Sequence, residues 1–386
     1  MARLTIEQKQ EAIEAVIKAG GSVKDAAKAL GIPRTTLSHR LHAPIIAEEK
    51  KPARVAKADP EESLRKSVFR LAETQVQAPK WVSSKPKKST RHNVTPILFA
   101  SDFQWGETIR PEELDGINGY DSKIAARRLH TLFDRTIDIC QNAMSDRYDY
   151  PGIVYVRGGD MVSGDIHQEL RETNDLSSIP AVIDLVSNEI AGLKMLADHF
   201  GKVHVVSVCG NHGRQTEKPM HKRFAEANYD TLSAYMIEAH FIASGDKRFT
   251  FCTPPSGDAL FDVYGWQFLV THGDRIGSRG GEGFIGPAAT IARGMKKTFD
   301  YYASLNRKLD YILVGHFHTA LALEYGFSNG CLSGFSEYAR SFRLRPNRPS
   351  QWLLMVNQSH GVMLPWQIYL EDRLTVSTVD TLPFAA

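Results

Sequence analysis

Five short clusters of metal-ligand residue types recur along this 386-residue chain: Asp102-Phe-Gln104, Gly158-Gly-Asp160, Gly210-Asn211-His212, His272-Gly-Asp274 and Gly315-His316-Phe-His318. Mixed carboxylate, amide and imidazole donors suit Mn²⁺, Fe or Zn²⁺. One shared carboxylate lets two cations sit about 3.5 to 4 Å apart despite their repulsion. Any single cluster is commonplace, since Gly-Asp is ordinarily a turn and a lone histidine ordinarily a satisfied core or surface residue. The ordered repetition is what points to a site.

Each cluster follows within about three residues of a short apolar run, at 96–100, 153–156, 203–208, 268–270 and 311–314, and these runs predict buried strands. Longer amphipathic stretches at 122–144, 179–200 and 288–305 predict the intervening helices. Strands aligned in one sheet deliver the loops at their carboxyl ends to one edge, where the glycines allow close backbone approach and Asp, Asn and His side chains converge. The expectation is an α/β domain over 94–386.

In this order and spacing the chain resembles the calcineurin-like metallophosphoesterase superfamily, on Asp102, Gly159-Asp160, Gly210-Asn211-His212, His272 and Gly315-His316-x-His318. The resemblance implies a four-layer β-sandwich flanked by helices, carrying two divalent metal ions. Asp102 and His318 would hold the first ion, Asn211, His272 and His316 the second, and Asp160 would bridge them. It further implies in-line attack by a water bridging the metals, with His212 assisting the leaving oxygen and Arg214 binding a phosphate oxygen. Two positions depart from the family pattern. Gln104 stands where a histidine is usual and is a weaker donor to transition metals, which favours Mn²⁺ over Zn²⁺, with Fe and Mg²⁺ as alternatives. Gly213 stands where an acid often follows the histidine, leaving His212 either oriented by another carboxylate such as Asp165 or Asp274 or less basic than in relatives.

The front of the chain reads differently. Residues 5–19 carry a helical apolar repeat that stops at Gly20-Gly21. Ser22-Val-Lys-Asp25 then starts a second helix, Gly31-Ile32-Pro33 turns the chain, and a third helix spans 34–42. This resembles a small all-α helix-turn-helix module over residues 1–45. Arg34, Thr35, Thr36, Ser38, His39 and Arg40 of the third helix are the candidate DNA-contacting residues. Residues 46–93 are rich in Ala, Pro, Lys and Glu and read as a tether, with one helix at 60–77 and a basic stretch at 85–91. Residues 1–93 hold 19 Lys and Arg against 10 Asp and Glu, whereas the remainder holds 28 against 34 of the totals of 47 and 44. A basic front favours polyanions, and an acidic body fits carboxylates that hold cations.

No run approaches the roughly 18 apolar residues of a membrane span, and the first residues lack the apolar region of an export signal. Cys140, Cys209, Cys252 and Cys331 form no Cys-x-x-Cys pair. A reducing cytoplasm, and no membrane partner, is the expectation, and the resemblance adds a host cytoplasm with bacteriophage encoding. A DNA-reading head tethered to a phosphodiester hydrolase points to a nuclease acting on DNA rather than RNA, since tethering raises effective concentration. The alternatives are a phosphatase or nucleotide phosphodiesterase with a regulatory head, and a catalytically weak DNA-binding protein. A single small head also points to a homodimer reading paired half-sites. Two further stretches suit either a nucleic-acid strand or a plain solvated surface: the glycine-rich 273–287, and Arg340, Arg343, Arg345 and Arg348 interleaved with Phe342 and followed by Trp352.

Overall fold

A computed structural model describes residues 6–42, 78–83, 92–276 and 287–372. The expected helix at 60–77, the basic stretch 85–91 and residues 277–286 of the glycine-rich segment lie outside the described residues. The chain divides into two compact units, Met1–Ser67 and Val68–Ala386.

The first unit is three helices: α1 (Ile6–Lys18), α2 (Val23–Ala29) and α3 (Arg34–His42). Ser22 caps α2, its Oγ accepting from the Asp25 amide at 3.3 Å, and Gly31 takes φ +66° to make the turn into α3. Ala12, Ala26, Ala27 and Leu37 form the buried centre, with Ile32 and Leu41 packed against it. The small alanines let three short helices approach closely enough to share one core.

The second unit opens with α4 (Lys80–Ser83), a single helical turn that the composition of the tether gives no reason to expect. Val82 is buried between the two sheets described below, its carbonyl accepts from the Tyr264 amide at 3.2 Å, and the Trp81 ring covers Gly152. Strand β1 (His92–Ala100) follows, then α5 (Ser122–Asp138), which runs on into a π-helical turn (Ile139–Ala143), β2 (Tyr148–Asp149) and β3 (Ile153–Gly158). Next come α6 (Gln168–Thr173), α7 (Ser178–Phe200), β4 (Val203–Val208), α8 (Tyr229–Ala243), β5 (Phe249–Cys252), β6 (Asp258–Val263) and β7 (Trp266–Thr271). The chain continues with α9 (Ala288–Ser304), β8 (Tyr311–Val314), β9 (Leu321–Leu323), β10 (Gly326–Ser328), α10 (Glu337–Ser341), β11 (Ser350–Asn357) and β12 (Gly361–Tyr369).

The five expected strands all form, but in two sheets rather than one. β1, β3 and β4 run parallel in a seven-stranded sheet of order β12-β11-β1-β3-β4-β5, with β2 alongside β1. β7 and β8 run parallel in a five-stranded sheet of order β6-β7-β8-β10-β9. The sheets pack face to face: Ile97, Phe99, Val154, Val156, Val206 and Val208 of the first meet Phe261, Phe268, Val270 and Leu313 of the second. Alternate residues point outward. Leu98, Tyr155 and Val205 are covered by Leu132 and Phe133 of α5, Leu185 and Leu193 of α7, and Ile237 of α8. On the opposite side Leu269, Ile312 and Val314 are covered by Ile291 and Met295 of α9. Helix, sheet, sheet and helix therefore form four layers, and a strand buried on both faces reads as an unbroken apolar run. Among the described residues no helix is long and apolar enough to cross a membrane, and all four cysteines are free and buried.

Candidate metal centre

Loops leaving β1, β3 and β4 in one sheet and β7 and β8 in the other meet across the inter-sheet seam and are laced together by backbone. The Asp102 amide donates to Gly159 O at 2.9 Å, the Gln104 amide to Asp160 O at 3.1 Å, and the Gly315 amide to His272 O at 2.7 Å. Asp102, Gln104, Asp160, His316 and His318 all have left-handed backbone, with φ between +49° and +69°. Non-glycine residues avoid this region at about 1 to 2 kcal/mol each, so five of them at one seam mark a site held in place by its surroundings. Gly210 shows how tight the meeting is: a Cβ there would lie 2.1 Å from Asp160 Oδ1.

The donor atoms converge in two groups. His318 Nε2 lies 3.3 Å from Asp102 Oδ1. One ligand atom each from Asp160, His272 and His316 falls within 4.8 Å of the others, with His272 Nε2 3.0 Å from Asp160 Oδ2. Gln104 Nε2 is 3.4 Å from the same Asp160 oxygen. The residues fit cations on a further observation. Gln104 Oε1 and Asn211 Oδ1 are buried with no hydrogen-bond partner among the described residues, a costly state for an amide oxygen unless it faces a positive ion. Neighbouring groups orient the ligands: His272 Nδ1 sits 2.9 Å from Gly158 O, turning Nε2 toward Asp160, and the His316 amide donates to Asp102 Oδ1 at 2.9 Å.

The electrostatics suit a positive occupant. Burial opposes ionisation of Asp160, but the His272, His212 and His316 imidazoles outweigh it and hold the carboxyl well below its usual range. Burial, with His272 beside it, pushes His316 down to about 4. Burial would lower His272 too, yet the Asp160 carboxylate overrides it and lifts the imidazole to about 10. Asp160 is thus ionised and His316 neutral at pH 7, the states in which both coordinate, and a cation reaching His272 has a proton to displace.

His212 sits beside these groups. Its amide donates to Asp160 Oδ1 at 2.7 Å, and its Nδ1 lies 2.9 Å from Ser163 O. The orienting partner is therefore a backbone carbonyl, where sequence reasoning expected the carboxylate of Asp165 or Asp274. Gly213 also gains a physical reason: a Cβ there would lie 2.3 Å from Asn228 Oδ1 and 3.0 Å from Asp230 Oδ1, leaving no room for an acid. Arg214 differs from expectation as well. Its Nε, Nη1 and Nη2 donate to the carbonyls of Thr216, Asn211 and Glu217, each at 2.9 Å, so the guanidinium closes its own loop.

On α3 of the first unit, Arg34, Thr35, Thr36 and His39 are exposed, Ser38 and Arg40 are half-buried, and Leu37 faces the core. The candidate contact residues thus lie mostly away from the buried side of the helix.

Residues 7–43 match the Fis family of bacterial regulatory proteins. No curated protein sequence matches the chain. Solved structures similar to it include sulfate thiohydrolase SoxB from Thermus thermophilus, in complex with glycerol. The identity is 12%, the match covers 73% of this chain and 57% of that one, and the TM-score is 0.28. A dimetal phosphatase from Danio rerio is 11% identical over 72% of this chain and 100% of its own, with a TM-score of 0.33. A Staphylococcus aureus protein named as a 5′-nucleotidase, in complex with alpha-ketoglutarate, is 11% identical over 75% of this chain and 56% of its own, with a TM-score of 0.29. The chain thus spans little more than half the length of SoxB.

The residue that sequence reasoning missed is Asp230. Fully buried at the start of α8, its carboxylate accepts from four amides: Asp160 at 2.8 Å, Gly210 at 2.9 Å, Met161 at 3.0 Å and Val162 at 3.3 Å. It fixes the Asp160 loop against the loop that carries Asn211 and His212. An acid in the first turn of a helix, after an Asn228 cap, reads from sequence as a helix-dipole residue, so no local signal separates the two roles.

Proposed function

We propose that the chain is a calcineurin-like metallophosphoesterase, a dinuclear metal-dependent phosphodiesterase that acts as a DNA nuclease, with residues 1–45 as its DNA-binding head. The observation that carries this reading is the convergence of Asp102, Asp160, His272, His316 and His318, with the unpaired buried amide oxygens of Gln104 and Asn211 beside them. Asp102 and His318 would hold one divalent ion, Asn211, His272 and His316 the other, and Asp160, with Gln104 nearby, would face both. Mn²⁺ fits the oxygen-rich, thiolate-free donor set. Two such ions, when bound, supply an acidified water and neutralise phosphate charge.

The chain's own residues do the rest. Asp230 and the laced loops hold the donors rigid, so little reorganisation accompanies reaction. His212, with Nδ1 fixed on Ser163 O, has Nε2 left to carry a proton to the departing oxygen. The exposed Arg34, Thr35, Thr36 and His39 of α3, with Ser38 and Arg40, suit a DNA groove, and tethering keeps DNA near the centre.

The test is Mn²⁺-dependent hydrolysis of end-labelled single- and double-stranded DNA, beside a chromogenic phosphodiester, by wild type and His316→Ala. Cleavage of DNA that drops at least 100-fold in the variant is the expected result. A wild-type rate in the variant, or hydrolysis of neither substrate by the wild type, overturns the proposal.

A further inference from the structure

The segment that leaves the centre on its β10 side carries an exposed aromatic and cationic strip with no part in the site described above. Tyr338 of α10 is 70% exposed and Phe342, just after that helix, 55%, and their rings lie 4.8 Å apart at 51°. A folded protein seldom leaves two large neighbouring aromatics in water without a use. Arg343 and Arg345 follow, both exposed, and neither forms an ion pair among the described residues.

The strip is anchored. Ser336 Oγ accepts from the Ala339 amide at 3.4 Å, Arg340 Nη1 donates to Asp115 Oδ2 at 2.6 Å, and the Leu344 amide donates to Ala339 O at 2.9 Å. It also stands at the rim of the centre. The Leu332 amide donates to the Asp102 carbonyl at 3.0 Å, and Tyr338 follows six positions later. Glu337 accepts from the Arg110 amide at 2.8 Å.

We propose that Tyr338 and Phe342 stack unpaired bases while Arg343 and Arg345 hold the adjoining phosphates, making this strip the entry platform for single-stranded nucleic acid. Bases within a duplex are stacked on each other and offer no face to such rings, whereas every unpaired base has one. Guanidinium groups one and three residues beyond Phe342 supply the charge complement that a purely apolar protein partner would not need. The inference names the substrate class of the nuclease reading and rests on it for the reaction, though the binding it describes can be measured with no reaction at all.

The experiment uses the full chain carrying Arg34→Ala and Arg40→Ala, which lowers the contribution of the head. Fluorescence anisotropy with a labelled single-stranded 12-mer in EDTA is compared before and after adding Tyr338→Ala and Phe342→Ala. Affinity should fall about 5- to 100-fold, and Tyr338→Phe should retain it. Replacing Arg343 and Arg345 by Gln should flatten the slope of log K against log salt by about 1.4. A 5-bromodeoxyuridine 12-mer should photo-crosslink within 338–345. Unchanged affinity in the aromatic variant, or crosslinks elsewhere alone, overturns the platform. A wild type that binds single strands through the strip yet hydrolyses neither DNA nor the chromogenic diester keeps the platform and overturns the nuclease reading; hydrolysis with unchanged affinity does the reverse.

Discussion

Asp230→Asn isolates the one buried carboxylate on which the geometry of the centre depends. Oδ2 of Asp230 accepts from Asp160 and Gly210, and Oδ1 from Met161 and Val162. Burial and the Asp160 charge push its pKa up to about 6, with the Gly210 amide pulling the other way, so at pH 7.5 it is ionised and acts as acceptor at both oxygens. Asparagine keeps the shape but replaces one acceptor by an NH₂ group. Whichever way the amide turns, two backbone donors lose their partner and face another donor. Hydrogen bonds to a charged group contribute about 1.5 to 3 kcal/mol each, so two lost bonds amount to about 3 to 6 kcal/mol before relaxation. The lower figure is the expected loss. Urea unfolding at pH 7.5 measures it, and Mn²⁺ titration of the same variant should show about 10- to 100-fold weaker binding, since the Asp160 and Asn211 loops are no longer pinned together. A stability change below about 0.5 kcal/mol with unaltered Mn²⁺ affinity would refute the assignment of Asp230 as the residue that sets the site.

Two further outcomes follow from buried charges elsewhere. Arg157, at the end of β3 just before the Asp160 loop, pairs with Glu189 of α7 through two bonds of 2.9 Å, and both side chains are wholly buried. Glu189→Ala should cost about 3 to 5 kcal/mol in urea unfolding because it strands a buried guanidinium, while a loss under about 1 kcal/mol would contradict that. Glu238 on α8 has no charge partner among the described residues to offset its burial, which pushes it up to about 7 from about 4.5. The native state then binds a proton that the unfolded state has released, so the contribution of Glu238 to stability should fall as pH rises from about 4.5 to about 7. Glu238→Gln should lessen that fall, and equal slopes for the two proteins would show that Glu238 titrates normally.

The candidate ligand residues were readable from the sequence because each strand is a short apolar run that ends directly in residues able to hold a metal, as Tyr311–Val314 ends in Gly315-His316-Phe-His318. The same pattern hid which sheet each strand joins. Leu269 and Val270 face opposite layers and are both fully buried, so the run reads identically in a single doubly covered sheet and in a pair of sheets packed face to face. The head was legible through Ser22, Gly20-Gly21 and Gly31, whose backbone needs are local. Roles that depend on distant partners were not. Asp230 meets Asp160 seventy positions away, Val82 is held by the Tyr264 amide, and Arg214 makes contacts only the folded loop reveals.

The central claim is that the five loops form a centre for two divalent ions, and calorimetric titration of chelator-stripped protein with Mn²⁺ tests it most directly. Wild type should take up two equivalents, Asp102→Asn should lose one, and Asp160→Asn, which removes the charge proposed to face both ions, should lose both. No uptake by the folded wild type, or two equivalents retained by Asp160→Asn, would contradict the account.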